Sequence, residues 1–165
     1  MSVVLARVDD RLIHGQVVVG WMRHCQADCI VVANDAVAAD PMQRTLLPMA
    51  VPQGIEVAIY RVKEAALRLA GGAHAARRAI LLFSSPADAL HFRRQGGVLS
   101  DLNLGGLRLA PGKQAHSAGV NLGEEDRKSL KQLGELGVKI YLQMVPGDVR
   151  EPLSQGGAEA GRDAR

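Results

Sequence analysis

Cys29-Ile30-Val31-Val32-Ala33 is an unbroken apolar run followed at once by the polar pair Asn34-Asp35. A run this short and apolar at every position fits a strand buried on both faces. Such strands belong to parallel sheets covered by helices. Val3-Val4-Leu5-Ala6 and Ala79-Ile80-Leu81-Leu82-Phe83 repeat the pattern, and Ile55 to Tyr60 alternates as a further strand. The stretches between them carry helical signals. Val17, Val18, Trp21, Met22 and Cys25 recur near a 3.6-residue period within Gly15–Cys25. Asp40-Pro41 reads as an N-cap with proline at the first helical position, opening a helix to about Ala50. Val62 to Ala70 is a helix stopped by Gly71-Gly72.

Ser85-Pro86-Ala87-Asp88 resembles a capping box, with Asp in place of the usual Glu or Gln, for a helix to about Gln95. Asp101–Leu104 is a short strand, and Gly112–Val120 suits a loop or a small hairpin. Glu124-Glu125-Asp126 puts three acids in the first turn of a helix striped by Leu130, Leu133 and Leu136. Lys139 to Val145 is the last strand, and disorder is expected from about Pro152. The β–α alternation predicts an α/β fold: a mainly parallel central sheet of about six to seven strands, flanked by helices on both faces. The expected division is a single domain over 1–147 and a flexible tail over 148–165. Ligands of such sheets bind beyond the carboxyl ends of the strands. Four loops should gather there: Asp9–Gly15, Asn34–Asp40, Ser84–Pro86 and Asn103–Gly106.

The 165 residues are 47% hydrophobic but only 3% aromatic, so the core must be aliphatic. The net charge of +3 is scattered, without a basic run or aromatic interleaving, which argues against nucleic-acid binding. No apolar run approaches the roughly 20 residues of a membrane-spanning helix. The chain opens on a strand-like run rather than a signal peptide, and its two cysteines are sparse; both point to the cytoplasm with reduced thiols.

The first of the four loops is the richest in chemistry. Asp9, Asp10, Arg11, His14, Gly15 and Gln16 crowd between a strand and a helix. Backbone N–H groups at a helix start make an anion site, and a guanidinium adds capture of phosphate oxygens. A carboxylate can hold one imidazole nitrogen as N–H and leave the other free to attack. These parts suit a histidine that accepts a phosphoryl group. Spacing alone favours a plainer reading, in which Asp9 or Asp10 caps the helix, Arg11 pairs with it and His14 is an exposed loop residue.

Val8-Asp9-Asp10-Arg11-Leu12-Ile13-His14-Gly15-Gln16-Val17, with Trp21 a turn later, closely resembles the opening of enzyme IIB of the mannose/fructose/sorbose family of the bacterial phosphoenolpyruvate-dependent sugar phosphotransferase system. Ile30–Asp35 with Asp40, Leu81–Pro86, Asn103–Leu107 and Gly119–Val138 match later segments of the family in the same order, over about residues 1–147. The resemblance implies that His14 is transiently phosphorylated, in a transferase of the protein-N(pi)-phosphohistidine–sugar phosphotransferase type. The phosphoryl group would come from a IIA phosphocarrier and pass to a sugar bound by the membrane IIC and IID components. Family precedent favours attack by Nδ1. Arg11 is the expected charge partner, and Asp9 or Asp10 the group that orients the ring. Gly15 and Gln16, and from the later segments Ser84, Asn103, Gly105 and Gly106, are expected to contact phosphate. No metal and no cofactor is expected, because the donor is already activated. The implied location is the cytoplasm, peripherally against the membrane permease, and a homodimer is left open. A non-transporting regulatory protein of the same fold, controlled by histidine phosphorylation, is the alternative. Two departures from the family pattern stand out: Asn34, where many relatives have Asp, and a tail lacking an apolar C-terminal helix.

Cys25 and Cys29 beside His24 read as core positions rather than metal ligands, because no second pair of ligands accompanies them. His24, His74, His91 and His116 read as structural or surface residues. Arg7 reads as a partner for Asp9 or Asp10, or as a second positive charge for phosphate or a docking partner, and Trp21 as core packing.

Overall fold

The structure, a computed structural model, describes residues 2–153. Its frame is a seven-stranded sheet built from β1 (Ser2–Val8), β2 (Cys29–Ala33), β3 (Glu56–Tyr60), β4 (Arg78–Phe83), β5 (Asp101–Leu104), β8 (Lys139–Leu142) and β9 (Glu151–Pro152). The order across the sheet is β3-β2-β4-β1-β5-β8-β9. Every pairing is parallel except β8–β9 at the edge. A separate hairpin joins β6 (Gln114–Ser117) to β7 (Val120–Leu122), the second of the two alternatives, loop or small hairpin, expected for the stretch from Gly112. The helices are α1 (Gln16–Trp21 continuing as Met22–Cys25), α2 (Asp35–Ala39), α3 (Pro41–Met49), α4 (Val62–Ala70), α5 (Pro86–Arg94) and α6 (Glu124–Glu135).

The period-2 geometry of strands divides the core into two layers. Val31, Ala33, Leu81 and Phe83 point to the face covered by α4, α5 and α6, through Ala65, Ala66, Phe92, Leu130 and Leu133. Ile30, Val32, Ile80 and Leu82 point to the other face, where α1 contributes Val17, Val18, Trp21 and Met22. Complete burial of β2 and β4 side chains on both faces explains why those strands read as continuous apolar runs. Each buried aliphatic side chain contributes on the order of 1.5–3 kcal/mol.

This division also places a candidate ligand crevice. β1 leaves through α1 on one face towards β2, whereas its neighbour β4 leaves through α5 on the opposite face towards β5. The chain directions part at the carboxyl ends of β1 and β4, where ligands of doubly wound sheets bind. The loop 9–15 sits at that point.

Two elements depart from the expectations. The loop after β2 winds into the short helix α2, because Asn34 accepts a hydrogen bond from Val37 N–H and caps it. Within the tail expected over 148–165, β9 pairs with β8, and Leu153 N–H donates to Ile140 O at 2.9 Å. Two main-chain polar residues beside an open sheet edge are better satisfied by pairing than by fraying. The remainder of the expected tail lies outside the described residues.

Asn34 also ties β2 to β4. Its amide donates to Ser84 Oγ at 2.8 Å and to Asp88 Oδ2 at 2.9 Å, and Ser84 Oγ donates to the same carboxylate oxygen. Asp88 therefore faces this network rather than closing a reciprocal capping box; only the Ser85 half of the box is made, with Asp88 N–H donating to Ser85 Oγ. The neutral amide at 34 fits a site already holding a carboxylate. Asn34→Asp should lower stability at neutral pH by about 1–3 kcal/mol, measured by urea unfolding. The loss should shrink as pH falls through the carboxylate range, since protonating either acid restores a donor.

Candidate active site

β1 carries one charged residue among apolar neighbours, and its parity aims Arg7 at the α1 face. Arg7 is fully buried. Its Nη1 donates to Asn103 Oδ1 and, at 3.0 Å, to the Gln143 carbonyl; its Nη2 donates to Asp9 Oδ2 at 3.0 Å. The guanidinium also lies 5.4 Å from the centre of the Trp21 ring. Gly105 makes room for it: a Cβ at that position would lie 2.2 Å from the Arg7 guanidinium. The Asn-x-Gly-Gly segment at the end of β5 thus houses Arg7.

Asp9, also fully buried, is the hub. Its Oδ2 receives Arg7 and, at 3.4 Å, Gly106 N–H, while its Oδ1 receives Arg11 N–H at 3.2 Å. His14 Nε2 lies 3.0 Å from the same Oδ2. An ionised carboxylate can only accept, so Nε2 carries the proton and Nδ1 keeps its lone pair. Among the described residues, no hydrogen-bond partner faces Nδ1. Burial alone would raise the Asp9 carboxyl, but the hydrogen bond from His14 and the charge of Arg7 outweigh it and hold the group below its ordinary value. Burial pushes the Arg7 guanidinium down from its ordinary value, yet so strong a base remains a cation.

The loop between Asp9 and His14 is held by its apolar residues. Leu12 and Ile13 are buried against α1, although this costs Leu12 a left-handed backbone with φ of 54°. Such strain, about 1–3 kcal/mol, is common at functional sites. The first part of α1, Gln16–Trp21, is a π-helix, a form also found mostly near functional sites. No side chain caps it and no acid occupies its first turn, so neither competes with an anion for its leading N–H groups. Arg11 stands at the rim, with its side chain 43% exposed and Nη2 3.4 Å from Gln16 Oε1.

The structure thus brings together His14, Asp9, Arg11, Gly15, Gln16 and Gly106. It separates Asp9 from Asp10, which sequence spacing left equivalent. Asp10 turns outward and accepts from Arg108 N–H at 2.8 Å and Arg108 Nε at 3.2 Å, fastening the loop to the chain after β5. Four residues expected at phosphate make other contacts. Asn103 is fully buried and committed to Arg7 and, through Nδ2, to the Gln143 carbonyl. Gly105 N–H donates to Val8 O, and Gly106 N–H to Asp9. Ser84 belongs to the Asn34–Asp88 network. Gln143 and Arg108 were not singled out in the sequence; each is a distant partner with no local motif to mark it. Cys25 is half-buried and Cys29 fully buried, both free thiols. Among the described residues, no helix is long and apolar enough to cross a membrane.

The profile of the PTS system sorbose subfamily IIB component matches residues 3–161. The chain belongs to this IIB family. It is 37% identical to the sorbose-specific EIIB component of Klebsiella pneumoniae, over 90% of either chain. The crystal structure of the IIBSor domain of the Klebsiella pneumoniae sorbose permease superposes with a TM-score of 0.85, at 37% identity, covering 91% of this chain and 92% of that one. The mannose-specific EIIAB component of Escherichia coli (strain K12) is 32% identical over 90% of this chain, which corresponds to 46% of that protein.

In this IIB chain the Asp9 charge is a stability determinant with a defined pH signature. A carboxyl whose folded value is depressed contributes stability above its unfolded value and loses it as pH falls through the folded value. Asp9→Asn should therefore cost about 3–5 kcal/mol at neutral pH, because it strands buried Arg7. Its stability should also fall less steeply than wild type on acidification below about pH 4; denaturant midpoints across pH measure both.

Proposed function

We propose that this chain is a phosphohistidine carrier of sugar uptake. His14 Nδ1 takes a phosphoryl group from a phosphohistidine of a IIA component and passes it to a sugar hydroxyl presented by membrane IIC and IID components. The observation that carries the reading is the 3.0 Å contact between His14 Nε2 and the buried Asp9 carboxylate, which leaves the Nδ1 lone pair for attack.

The Nδ1 pair attacks phosphorus in line, a P–N bond to His14 forms, and the P–N bond to the donor imidazole breaks with its electron pair returning to the donor ring. The His14 ring becomes cationic while Nε2 keeps its proton, and Asp9 is placed to stabilise that charge. In the second step the sugar oxygen attacks phosphorus, the P–Nδ1 bond breaks, and the hydroxyl proton leaves to solvent. Negative charge spread over the equatorial oxygens in each step calls for donors on the outer side of the ring. Arg11 and the leading N–H groups at Gly15 and Gln16 are the ones available there. Docking of the chain against a permease places it at the cytoplasmic face of the membrane.

The test uses phosphoenolpyruvate, enzyme I, HPr and a mannose-family IIA. An acid-labile, base-stable adduct should form on the wild type and vanish in His14→Ala. Phosphorus NMR of the denatured adduct should report Nδ1 substitution; an Nε2 adduct, or one surviving in His14→Ala, would overturn the reading. Arg11→Ala should keep the fold and slow transfer by roughly 10²–10³-fold, the loss typical of a removed charge-stabilising donor.

A further inference from the structure

At the end of the sheet opposite His14, three donors of different chemistry converge. β2 begins with Cys29 and β3 begins with Glu56, and the two residues pair in register. The turn between α4 and β4 carries His74 over them. Cys29 Sγ, a Glu56 carboxylate oxygen and a His74 ring nitrogen all lie within 4.8 Å of one another. The His74 backbone is left-handed, with φ of 57°, an uncommon conformation held here by side-chain bonds at either ring nitrogen. Nδ1 lies 2.6 Å from Glu56 Oε1, and Nε2 lies 3.0 Å from Tyr60 Oη.

We propose that Cys29, Glu56 and His74 bind one borderline-soft divalent transition ion, of which zinc is the best match. A thiolate, an imidazole and a carboxylate are the donor types such an ion takes, with water completing a tetrahedron. Ligand atoms around tetrahedral zinc stand about 3.3–3.8 Å apart, so the cluster needs adjustments of under about 1.5 Å. The 2.6 Å Nδ1–Oε1 approach is a hydrogen bond, which the ion would replace as the two atoms open to ligand spacing.

The surrounding groups match what orients metal ligands elsewhere. Without the ion, Nδ1–H donates to Glu56 Oε1; on binding, the ring takes the other tautomer, with Nε2–H donating to Tyr60 Oη and the Nδ1 pair turned to the ion. Arg77 Nε donates to Glu56 Oε2 at 3.1 Å, so the other oxygen, Oε1, is the one turned to His74. Charge also closes. On binding, the Cys29 thiol gives its proton to solvent as the S–metal bond forms. Three negative groups, Cys29, Glu56 and Asp28, then face the divalent ion and Arg77. Cys29 is fully buried, whereas Glu56 and His74 are part-exposed and most of the 71–76 turn lies at the surface. Bound there, the ion would clamp the β2–β3 edge to the turn before β4, and it does not depend on the reading of His14.

The test titrates cobalt(II) into the full chain, tag-free and stripped by chelator. One equivalent should give the visible bands of tetrahedral cobalt and a thiolate-to-cobalt charge-transfer band, and zinc should abolish them. The charge-transfer band should be absent in Cys29→Ala and unchanged in Cys25→Ser. Since a core substitution can impair folding, His74→Asn, which tolerates the left-handed backbone, and Glu56→Gln provide the second arm. Each should weaken cobalt affinity at least about tenfold. Absence of saturable binding, an octahedral spectrum, or a charge-transfer band that survives in Cys29→Ala or is unaffected in His74→Asn would overturn the proposal.

Discussion

A carboxylate without access to water must have its lone pairs answered by the protein, and at Asp9 this requirement organises the whole functional end of the molecule. Arg7, Arg11 N–H, Gly106 N–H and His14 all converge on its two oxygens. A buried ion pair of this sort is a poor source of stability, because desolvation offsets its attraction. What it gives is position. Arg7 is itself gripped by Asn103 and the Gln143 carbonyl, so the ends of β1, β5 and β8 are registered against the ring of His14. Room for this grip depends on the missing side chain at Gly105. The site is therefore built from the inside of the sheet outward, and the loop that carries the histidine is its last layer.

The doubly wound sheet makes such an arrangement available. Strands β1 and β4 are neighbours whose helices go to opposite faces, so the carboxyl end between them is left uncovered by either crossover. The crevice is a topological consequence that would exist with any loop. The particular loop adds buried Leu12 and Ile13 as anchors, an uncapped helix start for anions, and an imidazole whose inner nitrogen is occupied. The rigid part and the chemical part thus come from different features of the sequence, apolar parity for one and a polar motif for the other.

That difference explains what could be read without coordinates. Strands apolar at every position announced their double burial, and α3 and α5 were visible through Asp40 and Ser85, whose caps are local. The hairpin partners and β9 were harder, because pairing at an exposed edge leaves no periodic trace. The antiparallel return of Glu151–Pro152 carries almost no sequence signal. In the site, His14 and Arg11 were legible from motif and resemblance. The division of labour between Asp9 and Asp10 was not, since it is decided by Arg7 on one side and Arg108 on the other, the latter nearly a hundred residues away in the chain. Asn103 and the glycines were legible as belonging to the site but not as supports of Arg7: a turn-forming segment looks alike whether it cradles a phosphate or a guanidinium. The lone arginine in β1 was the available clue, because a charge within an apolar strand must find a partner indoors.

The proposed reaction puts a further demand on the Arg7–Asp9 pair. Phosphorylated His14 would set a phosphoryl group with about two negative charges on one side of a ring that has a carboxylate on the other. An unpaired Asp9 would repel the incoming group; an Asp9 neutralised by protonation would no longer hold Nε2–H. Arg7 resolves the conflict by compensating the carboxylate while leaving it ionised, so Asp9 orients the ring at little electrostatic cost to the phosphate. Arg11, whose Nε lies 3.5 Å from Asp9 Oδ1, and the helix N–H groups can then turn to the phosphoryl oxygens. On this view the two arginines of the motif are not interchangeable cations: the inner, fully buried one sets the state of Asp9, and the outer, part-exposed one can shift from Asp9 towards the charge as it moves.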